Sequence, residues 1–237
     1  MFNRTDHYDF QLIFNSPHNT LQNVPHEYIN KEHSRFRYHG MYALIENDWV
    51  IPLASWIKNL MKSGDWECKE IMAGRGWLAR ALSDQDVEIE ASDSGQDHAH
   101  RTHELEYPDI ITDAVYEVDK KSAIEVSKEI ISEKQENPQK RFVVIICYPP
   151  EEGRDATDFV NNLPEDTLII YIGDAEFINT ADESFRDAII WLHENPNHSE
   201  SYLLKGFPLK IDVEGVGSDE TDEDTVMASI LLGIPKL

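Results

Sequence analysis

The fold is predicted most directly by two neighbouring segments, EIMAGRGWLARAL at residues 70–82 and VEIEASD at residues 87–93. Together they indicate a strand, a tight glycine turn, a helix, a second strand and an acidic residue at its end. Gly74 and Gly76 let the chain turn sharply and leave no side chain between the turn and a ligand. The helix directs its amino end toward the same place, and Asp93 offers a carboxylate to ribose hydroxyls. The segments predict a nucleoside-binding turn; a purely structural turn is the alternative.

This pattern resembles motif I of class I S-adenosylmethionine-dependent methyltransferases, in which an acidic residue is followed by three alternating glycines. The positions of that motif are occupied here by Glu70, Gly74, Gly76 and Asp93. Met72 stands where the first glycine of the motif would be. The resemblance implies that S-adenosylmethionine is the cofactor and that these five residues bind it.

The segment Cys147-Tyr148-Pro149-Pro150 follows a strand that is apolar throughout, FVVIIC at residues 142–147. Such a run is typical of a strand buried on both faces in the middle of a parallel sheet. The tetrapeptide resembles motif IV of amino-group methyltransferases, although the aromatic residue precedes the prolines and Cys147 replaces an Asn or Asp. The resemblance implies that Tyr148 and Pro149 line the acceptor pocket, with Cys147 on the cofactor side. A rigid strand exit is the alternative.

Three further groups are candidates for roles in the site. Asp119 ends the predicted third strand, where its carboxylate meets an adenine amino group if Asp93 and Gly74 bind the same nucleoside. The general base is left open between Glu151 and the histidines at positions 98, 100 and 103. The histidine spacing matches no metal template, so no metal site is predicted.

A wider resemblance covers roughly residues 40–195. It joins four segments, namely WVIP at 49–52, the glycine turn, CYPP at 147–150 and LIIYIGD at 168–174. In this order they are similar to a poorly characterised branch of methyltransferase-like proteins, which implies the fold but no substrate. Departures from the pattern of that branch are Met72, Glu151 and Asp174.

Strands and helices alternate along the remaining sequence, which predicts a doubly wound, mostly parallel α/β sheet of the Rossmann-like methyltransferase type. Strands are predicted at 68–72, 87–91, 114–118, 142–147 and 167–172, and helices at 52–61, 77–82, 122–134, 155–161 and 183–193. Two last strands, 202–211 and 226–232, predict a C-terminal antiparallel hairpin around an acidic loop. Residues 1–48 are expected to form an arm that packs on the core or on a partner, and residues 49–237 the methyltransferase-like domain.

The charge of the chain restricts its partners. The 237 residues carry a net charge of −24, and residues 151–237 contribute 20 acidic and 5 basic side chains to it. Such a surface disfavours free nucleic acid, which needs basic residues to displace counterions. A small molecule or protein acceptor, and a basic protein partner, fit the charge better. The acidic run at 219–224 lacks the spacing of a calcium loop and predicts a solvated loop.

The sequence leads to expectations about the cellular location and the function of the protein. The sequence contains no run of 18 apolar residues, so no membrane span is predicted. The start lacks an apolar signal segment, so a cytoplasmic protein is expected. The leading hypothesis is an S-adenosylmethionine-binding methyltransferase. The alternative is a catalytically inactive protein of the same fold, in which Met72 fills the methionine subsite and the acidic surface binds a basic partner or mimics nucleic acid.

Overall fold

In the computed structural model of the chain, the described residues are 43, 45, 47–95, 114–150, 153–174, 180–181, 183–211 and 229–236. Helices and strands alternate through most of them. In chain order they are α1 (Asn47–Lys62), β1 (Trp66–Ile71), α2 (Trp77–Ser83), β2 (Glu90–Asp93), β3 (Val118–Lys120), α3 (Ala123–Glu136), β4 (Arg141–Cys147), α4 (Asp155–Asn161), β5 (Leu168–Gly173), α5 (Glu183–Asp187), β6 (Ile189–Trp191), a 3-10 helix (Ser199–Leu204) and β7 (Ser229–Pro235).

The strands form one seven-stranded sheet in the order β3-β2-β1-β4-β5-β7-β6. The pairs from β3 to β5 are parallel, and β7 is antiparallel to both of its neighbours. The chain winds outward from β1 to β3 and then in the opposite direction from β4 to β5, so β1 and β4 meet at a topological switch point. This confirms the predicted α/β Rossmann-like fold with an antiparallel C-terminal end.

Each face of the sheet has its own apolar core. One core contains apolar side chains of α1 and α2, and the other contains those of α3, α4 and α5. The side chains of residues 142–146 in β4 are 1% exposed or less and alternate between the two cores. This burial on both faces explains why β4 is apolar throughout. Among the described helices, none is both long and apolar enough to cross a membrane.

Local sequence signals set several element boundaries. Helix α3 starts with a capping box, in which the Ser122 hydroxyl accepts from the Glu125 N–H and the Glu125 carboxylate accepts from the Ser122 N–H,. Helix α4 has the predicted bounds. The predicted helix over 52–61 was wrong at its start, because α1 begins at Asn47 and contains Pro52.

The predicted helix over 183–193 was wrong in its second half. Helix α5 ends at Asp187, and Ile189–Trp191 forms the edge strand β6. Residues 185, 188, 189 and 192 recur at helical spacing, yet Ile189 and Trp191 also alternate with half-buried Ile190. Pairing with β7 satisfies the backbone of these residues across the sheet, which a local pattern does not reveal,.

The predicted strand over 202–211 was also wrong. Residues Ser199–Leu204 form a 3-10 helix, and the Trp56 indole N–H donates to the Leu203 carbonyl over 2.9 Å. A single antiparallel bridge between Lys210 and Ile230 lies where the predicted hairpin would run. The antiparallel partner of β7 at the end of the sheet is β6.

Four expectations lie outside the described residues. They concern the arm up to residue 42, the histidines at 98, 100 and 103, Glu151, and the acidic loop 212–224.

Candidate functional site

The carboxyl ends of β1, β2 and β4 meet at the switch point. Ile71 is in register with Ile146, so the next residues, Met72 and Cys147, lie side by side at the same edge. β2 ends at Asp93, on the other side of β1. Open α/β sheets bind ligands in the crevice at this position, because the loops diverge there. The predicted site residues of β1, β2 and β4 are therefore brought together.

Asp93 fastens the glycine turn to the end of β2. Its Oδ2 accepts from the Gly74 N–H at 2.9 Å, and its Oδ1 accepts from the Gly95 N–H at 2.7 Å. The Ala73 N–H donates to the Ser92 carbonyl over 3.0 Å alongside. Each carboxylate oxygen has a further lone pair that a ligand hydroxyl can use. This structural role of Asp93 was not predicted, although Asp-Ser-Gly after a strand is a signal for an Asx turn.

The two glycines of the turn serve different purposes. Both adopt left-handed backbone conformations, with φ of 54° at Gly74 and 79° at Gly76. A Cβ atom at Gly76 would lie 2.7 Å from the Tyr116 Cβ and 2.9 Å from the Val118 Cγ2. A Cβ atom at Gly74 would meet no described atom within 4 Å. Gly76 is needed for internal packing, whereas no such packing requirement exists at Gly74 within the described part of the chain.

Met72 adopts a conformation that normally favours glycine. Its φ is 55°, in the left-handed region, which costs an L-residue about 1–2 kcal/mol. Its half-buried side chain packs against the core on the α3 side of the sheet. The backbone therefore has the shape that the motif's first glycine would take without strain.

A pair of substitutions at Met72 separates backbone strain from packing. Both Met72→Ala and Met72→Gly lose the side-chain contacts, but only glycine relieves the left-handed strain. We expect the glycine variant to be more stable than the alanine variant by about 1 kcal/mol, measured by urea unfolding. This order is the reverse of the usual one, in which glycine is the less stable residue. If Met72→Ala were as stable as Met72→Gly or more stable, the inference of backbone strain at Met72 would be contradicted.

Glu70 is a buried carboxyl group beneath the turn. It is 2% exposed and shares a face of β1 with Cys68, whose side chain belongs to the core of α1 and α2,. Burial raises its pKa to about 8, against the lowering effect of a hydrogen bond from the Ala79 N–H, and the charge of Asp93 raises it further. Its Oε2 has no hydrogen-bond partner in the described part of the chain. At neutral pH this side chain is therefore mainly protonated.

The residues after β4 are fixed by backbone hydrogen bonds. The Tyr148 N–H donates to the Ile172 carbonyl over 2.7 Å, and the Pro149 carbonyl accepts from the Ala181 N–H over 3.1 Å. Tyr148 has a φ of 50°, a strained value of the kind that concentrates at functional sites,. At Cys147, burial raises the thiol pKa well above its ordinary value, and the charge of Glu70 adds to this.

Asp119 is not brought together with Asp93. It pairs in register with Ser92, and neighbouring residues of a strand point to opposite faces, so its side chain lies on the α3 side,. There it forms an ion pair with Lys121 at 3.2 Å, and Lys121 also pairs with Glu129 of α3 at 3.0 Å. The predicted contact with an adenine amino group has no support from this placement.

No family model matches the chain, and no curated protein matches it. Solved structures similar to it include a SAM-dependent methyltransferase from Archaeoglobus fulgidus, with 13% identity, a TM-score of 0.36, and coverage of 90% of this chain and 100% of that one. The plantazolicin methyltransferase BpumL in complex with SAH has 11% identity, a TM-score of 0.37, and coverage of 95% and 93%. The 1,6-didemethyltoxoflavin-N1-methyltransferase of Burkholderia thailandensis has 11% identity, a TM-score of 0.37, and coverage of 90% and 91%. With all of these TM-scores below 0.5, the fold assignment rests on the strand order.

Proposed function

We propose that the chain binds S-adenosylmethionine at the switch point between β1 and β4 and transfers its methyl group to a small-molecule or protein acceptor. The observation that carries this proposal is the glycine turn at Gly74, where a Cβ atom would meet no described atom within 4 Å. Asp93 fastens this turn and also acts on Glu70, a buried carboxyl group with one oxygen that has no described partner. The turn, the Asp93 carboxylate and the Glu70 carboxyl group each offer a contact to a ligand that has a nucleoside part and an amino acid part.

The residues present fit this cofactor. Gly74 allows close backbone approach, because it has no side chain and no described atom lies within 4 Å of its Cβ position,. The remaining lone pairs of Asp93 accept from ribose hydroxyls, and Glu70 accepts from the amino group of the methionine part. Asp119 is left out of this set because its side chain lies on the opposite face. Met72 contacts the core on the α3 side, which favours a binding-competent turn over a blocked methionine subsite.

Methyl transfer depends mainly on the alignment of the donor sulfur, the methyl group and the acceptor. When bound, S-adenosylmethionine supplies an electrophilic methyl group on a sulfonium sulfur. The chain's own task is to hold an acceptor in line and to exclude water. The Tyr148-Pro149 segment suits this task, since its two backbone hydrogen bonds to residues 172 and 181 keep it rigid at the end of β4. Glu151 and the histidines at 98, 100 and 103 all stay candidates for the general base, and all four lie outside the described residues. The net charge of −24 favours an uncharged, cationic or protein acceptor over nucleic acid,.

Calorimetry with S-adenosylmethionine and S-adenosylhomocysteine tests the proposal, and Asp93→Ala tests the site. Losing a charged acceptor for the ribose is expected to cost about 1.5–3 kcal/mol, so affinity falls at least about tenfold. The same change leaves the Gly74 and Gly95 N–H groups without their acceptor, so the variant's melting temperature is measured first and binding is assayed well below it.

Asp84→Ala is the matched control. It removes the same charge at the exposed end of α2, where Asp84 pairs with Arg80, and we expect it to leave affinity within about twofold. Wild-type protein that binds neither ligand at millimolar concentration would overturn the proposed function. Undiminished affinity in Asp93→Ala would remove Asp93 from the binding site.

A further inference from the structure

Glu70 is a buried carboxyl group with no ion-pair partner among the described residues. It is 2% exposed, and the described groups that act on it are the Ala79 backbone N–H, which donates to it, and the carboxylate of Asp93. Asp93, by contrast, has both oxygens occupied by backbone donors. A buried carboxylate with one unpartnered oxygen and no cation is costly, and the inexpensive alternative is to keep its proton.

We infer that Glu70 exchanges its proton for the primary ammonium group of the ligand. On binding, the carboxyl O–H bond breaks, the proton passes to solvent, and an ammonium N–H donates to the carboxylate oxygen that was without a partner. This inference rests on the proposed function and deepens it, because it makes Glu70 the residue that distinguishes nucleosides carrying an ammonium group from those that lack one.

The groups around Glu70 explain why a ligand is needed for this exchange. Asp93 faces it from β2, Cys68 lies on its own strand, Cys147 approaches from β4, and α2 contributes the Ala79 N–H. Burial raises the pKa of both thiols, so neither cysteine supplies a charge near neutral pH. Since the nearby charge is that of a second carboxylate, an incoming cation is the partner that makes ionisation of Glu70 favourable.

Proton counting by calorimetry tests the inference. S-adenosylhomocysteine is titrated into wild-type protein at pH 6.5 in phosphate and in Tris, whose ionisation enthalpies differ. We expect release of nearly one proton per site, because the pKa of about 8 keeps Glu70 protonated at that pH. Between pH 6 and pH 7.5 the affinity should rise about tenfold per pH unit, as linkage requires for one proton released.

Two comparisons identify the proton's source. Glu70→Gln, which carries no titrating group, is expected to release no proton and to show a flat affinity profile over the same pH range. Adenosine, which lacks the ammonium group, is expected to release none from the wild type. Binding of S-adenosylhomocysteine to the wild type without proton release would overturn the inference and leave the proposed function standing. The same release from Glu70→Gln would also overturn it, and failure of the wild type to bind the ligand would overturn both.

Discussion

Replacing Glu70 by glutamine is expected to raise the free energy of unfolding, relative to the wild type, by about 2–3 kcal/mol more at pH 9 than at pH 6. Burial raises the pKa of this carboxyl from its ordinary 4.5 to about 8. Over the interval between these values the native state keeps a proton that the unfolded chain has released. The stability contribution of the wild-type residue therefore falls as the pH rises, until the folded carboxyl itself ionises near pH 8. Glutamine stays neutral throughout, so its variant lacks this loss.

Glu67→Gln, on the same strand, is the matched control because its pKa shift has the opposite sign. Burial raises the pKa of Glu67, but hydrogen bonds and charge from Lys140 and Lys69 outweigh this and lower it. The stability that Glu67 contributes is present above its ordinary pKa and is lost only in acid. Urea unfolding between pH 6 and pH 9 should therefore show a pH-independent loss for Glu67→Gln and a growing gain for Glu70→Gln. Parallel pH profiles of the Glu70 variant and the wild type would contradict a protonated Glu70.

Short-range patterns were sufficient for the central strand β4 and for helix α4. The apolar run of β4 and the amphipathic stretch of α4 were both placed within a residue, since burial on two faces and helical spacing are properties of the sequence itself. The edge of the sheet was harder. Ile189–Trp191 has helical and strand spacing at once, and only the distant strand β7 decides between them,.

The features of the candidate site also differ in whether the sequence predicted them. The proximity of Asp93 to the glycine turn followed from two strands with a short connection, and the Gly74 hydrogen bond is consistent with it. Asp119 is the middle residue of the three-residue strand β3, and a shift of one residue in register turns its side chain to the other face,. The protonation of Glu70 depends on burial beneath α2 and on the approach of a second carboxylate, neither of which sequence spacing encodes.

Replacing Gly76 by alanine is expected to lower the free energy of unfolding by about 2–5 kcal/mol. The left-handed φ of 79° costs an L-residue about 1–2 kcal/mol,. The new methyl group would also lie 2.7 Å from the Tyr116 Cβ and 2.9 Å from the Val118 Cγ2. Overpacking of this kind costs about 1–3 kcal/mol, because the segment before β3 has to move away from the turn.

Gly206→Ala separates the two contributions. Gly206 has the same φ of 79°, and a Cβ atom there would meet no described atom within 4 Å, so this variant reports backbone strain alone. We expect it to lose about 1–2 kcal/mol, and the difference between the two variants in urea unfolding then measures the collision with Tyr116 and Val118. If the two variants lose the same free energy, the turn and the start of β3 are not in contact. A larger loss at Gly76 would instead establish that this glycine joins β1, α2 and β3 into one packed unit beneath the crevice.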